Sequence, residues 1–133
     1  MNMKSSPLFL RAAAALALAL AVTLQSGCVV AAVGAGAGAV AYIRGELQAT
    51  LESSLNVTNK AAGRAISQLE FAKVSENKDA LTSTIIARTA QDKKVEIVMT
   101  KVSDSVTKVK IRVGVFGDEA VSMAILDKIK ASL

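Results

Sequence analysis

Two long stretches of this chain are almost uniformly apolar, and the rest alternates between apolar and polar positions. Ala12 to Leu24 is an apolar run interrupted only by Thr23, and Val29 to Ile43 is a tract rich in Gly, Ala and Val without charge. From Gly45 the pattern changes. Leu47, Leu51 and Leu55 recur every four residues, and Ala62, Ala65, Ile66 and Leu69 continue the stripe. That spacing predicts an amphipathic helix over roughly residues 45 to 70. SSLNVTNK in its middle is poor in helix formers, which places a possible break near Asn56.

Strand-like runs follow: a short FAKVS, then ALTSTIIART, VEIVMTKVS and TKVKIRVGV, the last three rich in β-branched residues. Turn-like punctuation separates them at Glu76–Asp79, Ala90–Lys93 and Ser103–Ser105. Such short connections predict antiparallel neighbours. In the last run Val109, Ile111, Val113 and Val115 point one way and Lys108, Lys110 and Arg112 the other, so one face is core and one is wet. Gly117 ends the strand, Asp118 is a good N-cap, and Glu119 adds negative charge to the first turn of a closing helix. Val121, Ile125, Ile129 and Leu133 fall on one face of that helix, and Lys128 and Lys130 complement its dipole. The expected fold is α+β: a two-layer sandwich of an N-terminal amphipathic helix, an antiparallel sheet of about three to four strands, and a C-terminal helix on the same sheet face.

Composition sharpens the division along the chain. The 133 residues are 52% hydrophobic but only 3% aromatic, and the excess of small apolar residues lies before Arg44. The formal charge is +5, and removing Lys4 and Arg11 leaves +3. With one Tyr, no Trp and three Phe, and no dense basic cluster, the chain lacks what nucleic-acid binding requires. There is no His, hence neither the commonest general base nor the commonest metal ligand.

The single cysteine is explained by its surroundings. Lys4 and Arg11 form a basic n-region, Ala12 to Leu24 an h-region, and Gln25, Ser26 and Gly27 a polar, small-residue approach to Cys28. This arrangement resembles a bacterial lipoprotein signal, which implies lipidation of the Cys28 thiol and cleavage on its N-terminal side. The pattern departs from that family of signals at Gln25, where an aliphatic residue is usual; Leu24 sits one position further back. Val29, rather than Asp, follows the cysteine, and by the same resemblance the protein would reside in the outer membrane, facing the periplasm. The division expected is a signal peptide over 1–27, a lipidated Cys28 with an apolar tether over 28–44, and a small domain over 45–133. Two alternatives stand: an uncleaved inner-membrane signal anchor over Ala12 to Ile43, long enough to span a bilayer, and ordinary secretion with cleavage inside the Gly/Ala tract.

Val29 to Ile43 would reach about 22 Å as a helix, short of the roughly 30 Å hydrocarbon core. It reads as a tether lying against the leaflet, with Tyr42 and Arg44 suited to the interface. The alternative is a glycine-zipper segment that self-associates through Gly34 and Gly38, four apart.

The stretches AYIRGELQATLE, KDALTSTIIARTAQDKKVEI and SDSVTKVKIRVGVFGDEAVSMAIL resemble a family of small bacterial lipoproteins known only as a domain of unknown function; IRVGVFGDEA is the most specific of the shared pieces. The resemblance implies the lipoprotein and α+β readings and carries no reaction, substrate or catalytic residue.

No catalytic residue is expected. Asp118 and Glu119 are adjacent carboxylates that a helix start explains, the serines have no base, and the acids are too dispersed for a metal. GAGAGA lacks the preceding strand and following GK[ST] of a phosphate loop. Asn56-Val57-Thr58 matches a glycosylation sequon, a common chance match. No cofactor is implied. What remains is the basic ridge of Lys108, Lys110 and Arg112, extended by Lys101 and Arg88 if the strands pair in register. It reads either as a solvated sheet face or as a contact for an anionic surface such as lipid headgroups. The expected role is a non-enzymatic structural or partner-binding domain at the cell envelope; a membrane oligomer built on the Gly/Ala tract is the alternative.

Overall fold

The structure, a computed structural model, describes residues 39–133. Cys28, Gly34 and Gly38, with the signal-peptide and most of the tether assignments, lie outside the described residues. Two strands come first: β1 (Val40–Ile43) and β2 (Glu46–Leu51). Helix α1 (Leu55–Gln68) follows, then a four-strand meander of β3 (Ala72–Lys78), β4 (Thr82–Arg88), β5 (Lys94–Ser103) and β6 (Val106–Val113), and finally α2 (Glu119–Ala131). The six strands form one antiparallel sheet in the order β1-β2-β6-β5-β4-β3. Helix α1 carries the chain from β2 to the far edge, and the meander returns until β6 pairs with β2. Both helices pack on one face of the sheet and on each other. Among the described residues, no helix is long and apolar enough to cross a membrane.

The α+β class and the two helices on one face hold; the strand count and the first element are corrected. Residues 46–51 are strand rather than the start of a helix, and the helix begins only at Leu55. The reason lies in the spacing. A repeat of four is compatible with the helical period and is also twice the strand period. Leu47, Ala49 and Leu51 are all buried in one inward row, and Ala49 is too small to mark that row in the sequence. SSLNVTNK contains the helix start: Ser54 Oγ accepts the Val57 N–H at 3.3 Å.

The folded unit also begins earlier than Gly45. Val40–Ile43 pairs with β2 through a two-residue turn at Arg44 and Gly45, both with positive φ (52° and 79°), the conformation of the type I′ hairpin. The tether assignment therefore loses its last residues to the sheet. β3 is exposed along its whole length, so it has no inward pattern to read; it is a strand because β4 is beside it. Finally, the β6 alternation stops at Val113. Gly114 turns left-handed (φ 70°), and Val115 is 83% exposed.

The core lies between sheet and helices. Leu47, Ile97 and Ile111 from the sheet meet Ile66, Ile125 and Ile129 from the helices, all at most 1% exposed. Ala61, Ala62 and Ala65 let α1 approach closely. Asn59 crosses this layer: its Nδ2 donates to Glu76 on β3 (2.7 Å), and its Oδ1 accepts from the buried Ser83 hydroxyl on β4 (2.5 Å).

Candidate functional site

The register places the basic ridge on the open sheet face. Lys108, Lys110 and Arg112 pair across with Thr50, Gln48 and Glu46 on β2, and with Thr100, Val98 and Glu96 on β5. Arg112 thus stands between two glutamates. Lys110 Nζ lies 3.6 Å from Glu46, and Lys94 Nζ lies 2.9 Å from Glu96. Arg88 shares this face at its end, opposite Lys94, and pairs with Asp92 at 3.2 Å. Lys101 does not join. Its partner across the ladder is the buried Thr107, so it belongs to the helix side, where it meets Asp104 at 2.6 Å.

The charge count of the two faces differs. The open face carries five cations, Arg88, Lys94, Lys108, Lys110 and Arg112, against Glu46 and Glu96. Taking these from the fourteen cations and eleven acids after residue 38 leaves nine of each. Counted over strand residues the open face thus carries a surplus of three positive charges, and Asp92 of the β4–β5 turn neutralises one of them at Arg88, leaving two.

Beside the ridge is a cavity of about 610 Å³ that the sequence did not reveal. Seven consecutive residues, Arg112 to Asp118, line it, together with Arg88, Asp92, Lys93, Lys94 and Glu96. The segment is fixed by glycines. Gly114 and Gly117 have φ of 70° and 86°, and Gly117 lies back to back with Gly45 of the β1–β2 turn, against the Tyr42 hydroxyl. A Cβ on either Gly45 or Gly117 would strike backbone of the other segment. Phe116, at the top of this loop, is 92% exposed.

Asp118 is the N-cap expected, accepting the Val121 N–H at 3.1 Å, with Lys93 also 3.1 Å away. Those two contacts, the backbone donor first, hold its carboxyl below the usual aspartate range. Glu76 is lowered by hydrogen bonds from Lys73 and then Asn59; Asp79 and Asp104 are lowered by the Leu81 and Thr82 N–H groups and by Lys101, respectively. Among the described residues no group of three or more Cys, Asp or Glu could hold a metal ion.

A family model described as "Protein of unknown function (DUF3568)" matches residues 11–132. The chain belongs to the DUF3568 family. No curated protein matches it. For DUF3568, function has to be argued from geometry and charge.

Proposed function

We propose that this DUF3568 protein is a lipid-anchored domain of the bacterial cell envelope, held by acylated Cys28 in the outer membrane and facing the periplasm, and that it binds rather than catalyses. The observation that carries the binding role is the charge asymmetry. The open sheet face carries five cations against Glu46, Glu96 and Asp92, and a basic surface near an anionic leaflet gains about 1 kcal/mol per net charge, some 2 kcal/mol for this face. The twelve residue-to-residue steps from Cys28 to Val40 reach at most about 40 Å, which keeps the face within range of the membrane. The non-enzymatic reading rests on the sequence, which has no His and no nucleophile–base pair.

Fatty-acid labelling with membrane fractionation, on wild type and Cys28→Ala, tests the anchor. Label on the wild type alone, in the outer-membrane fraction, is the expected result. Absence of label from both, with the N-terminal segment retained, overturns it and leaves a signal anchor. For the face, Lys108→Glu with Lys110→Glu in the unacylated Cys28→Ala protein should lower co-sedimentation with anionic vesicles at low salt; unchanged sedimentation would make the ridge a solvated surface.

A further inference from the structure

The cavity has a volume within the roughly 300–1,000 Å³ of small-molecule sites. Its charges are not evenly satisfied. Asp92 is paired with Arg88, Asp118 with Lys93 and Glu96 with Lys94, at 3.2, 3.1 and 2.9 Å. Of the four cations lining the cavity, Arg112 is left without a carboxylate oxygen within 4.0 Å among the described residues. Its one recorded hydrogen bond goes to the Arg44 carbonyl at 3.3 Å. A guanidinium offers five N–H donors in a planar fork that fits a carboxylate. Beside it stand Val115 and Phe116, 83% and 92% exposed. They stand between two left-handed glycines, Gly114 and Gly117.

We propose that this cavity is a binding site for a small monoanion with an apolar body, an aryl- or alkyl-carboxylate, whose carboxylate pairs with Arg112 and whose apolar part lies against Val115 and Phe116. One unneutralised charge sets the valence of the ligand. Glu46 and Glu96 flank Arg112 in the ladder, where opposed side chains are about 5 Å apart. A dianion such as a phosphate monoester would meet both glutamates for the gain of one guanidinium. A neutral ligand would leave Arg112 as it is. The site stands independently of the anchor at Cys28 and of vesicle binding by Lys108 and Lys110.

The test is fluorine NMR line broadening with 4-fluorophenylacetate as probe and the full chain in zwitterionic nanodiscs, with empty nanodiscs as blank. 4-Fluorobenzyl alcohol and 4-fluorobenzyl phosphate are the neutral and dianionic comparisons. The carboxylate should bind with a Kd of ~1 mM or tighter, and both comparisons at least about tenfold more weakly. Arg112→Gln should weaken the carboxylate about tenfold or more, as loss of a charged hydrogen-bonding partner does. Phe116→Ala, at a side chain too exposed to disturb folding, should weaken it severalfold. Lys108→Gln with Lys110→Gln should leave probe binding unchanged while lowering vesicle binding, which separates this site from the open-face role. No broadening by the carboxylate, equal binding of the alcohol or the phosphate, or an Arg112→Gln protein of native circular dichroism that binds as wild type would each overturn the proposal.

Discussion

Substituting Gly114 and Gly117 one at a time by alanine separates two costs that usually come together. Both glycines have left-handed φ, 70° and 86°. An L-residue there costs about 1–2 kcal/mol. At Gly114 that is the whole cost, since a Cβ would meet nothing within 4 Å. At Gly117 the Cβ would run into the carbonyl oxygen and Cα of Gly45 and the Tyr42 hydroxyl. The hydroxyl is the end of a side chain and can swing; the Gly45 backbone is held in the β1–β2 turn and cannot. Overpacking of this kind adds about 1–3 kcal/mol. Gly114→Ala should therefore lose about 1–2 kcal/mol and Gly117→Ala about 2–5. Urea unfolding followed by far-ultraviolet circular dichroism measures both, and each kcal/mol corresponds to about 4–8 °C in Tm for a domain of this size. If the two variants lose the same stability within about 0.5 kcal/mol, the backbone approach of the two segments contributes nothing and the account of the loop is wrong.

Three other outcomes are expected. Asn59→Ala should cost about 2–4 kcal/mol in urea, because it strips the buried Ser83 hydroxyl of its partner and Glu76 of a donor; a loss under 1 kcal/mol would show that water replaces it. Ser122→Ala should be neutral or stabilising by up to about 1 kcal/mol, since that buried hydroxyl has no hydrogen-bond partner among the described residues and alanine is the better helix former; a clear destabilisation in the same assay would refute this. Stability should fall with acid. Glu76, Asp79, Asp104 and Asp118 have folded pKa values below their ordinary 4.5 and 3.8, so their contribution is present above those values and disappears as pH drops through the folded ones; a urea midpoint that holds constant or rises from pH 5 to pH 3 would contradict the sign.

The parts of the fold that can be read from the sequence are those where local pattern and tertiary environment agree. β6 alternates between the inward Val109, Ile111 and Val113 and outward cations, and α2 announces itself with Asp118 and an apolar row; both elements stand where expected, but α2 ends at Ala131, Leu133 of the expected row is exposed, and Ser122 and Leu126 are buried beside Ile125 and Ile129. β1 and β2 could not be read in the same way. The alternation of Val40 and Tyr42 is submerged in an apolar tract, and Leu47 and Leu51 match a helix as well as a strand because Ala49 between them is silent. β3 owes its extended form to pairing alone. The basic ridge was legible as three residues of one strand. Its glutamate neighbours were not, since Glu46 and Glu96 lie 66 and 16 positions from Arg112 in the sequence. The cavity was hidden for the same reason: it is assembled from the β4–β5 turn and the β6–α2 loop, braced by a third turn.

That third turn lies between the start of the sheet and the cavity wall. Gly45 belongs to the hairpin that begins at Val40, the first paired one among the described residues, and Gly45 touches the backbone of Phe116 and Gly117 in the cavity wall. If Cys28 holds the chain in a leaflet, any force on the tether is delivered to β1, a four-residue edge strand. Its outer end is braced by that glycine contact. A change that parts Gly117 from Gly45 therefore disturbs the β1–β2 turn and the cavity wall together. The same loss of stability expected of Gly117→Ala would appear in such a protein as weaker binding of the carboxylate probe, with Arg112 untouched.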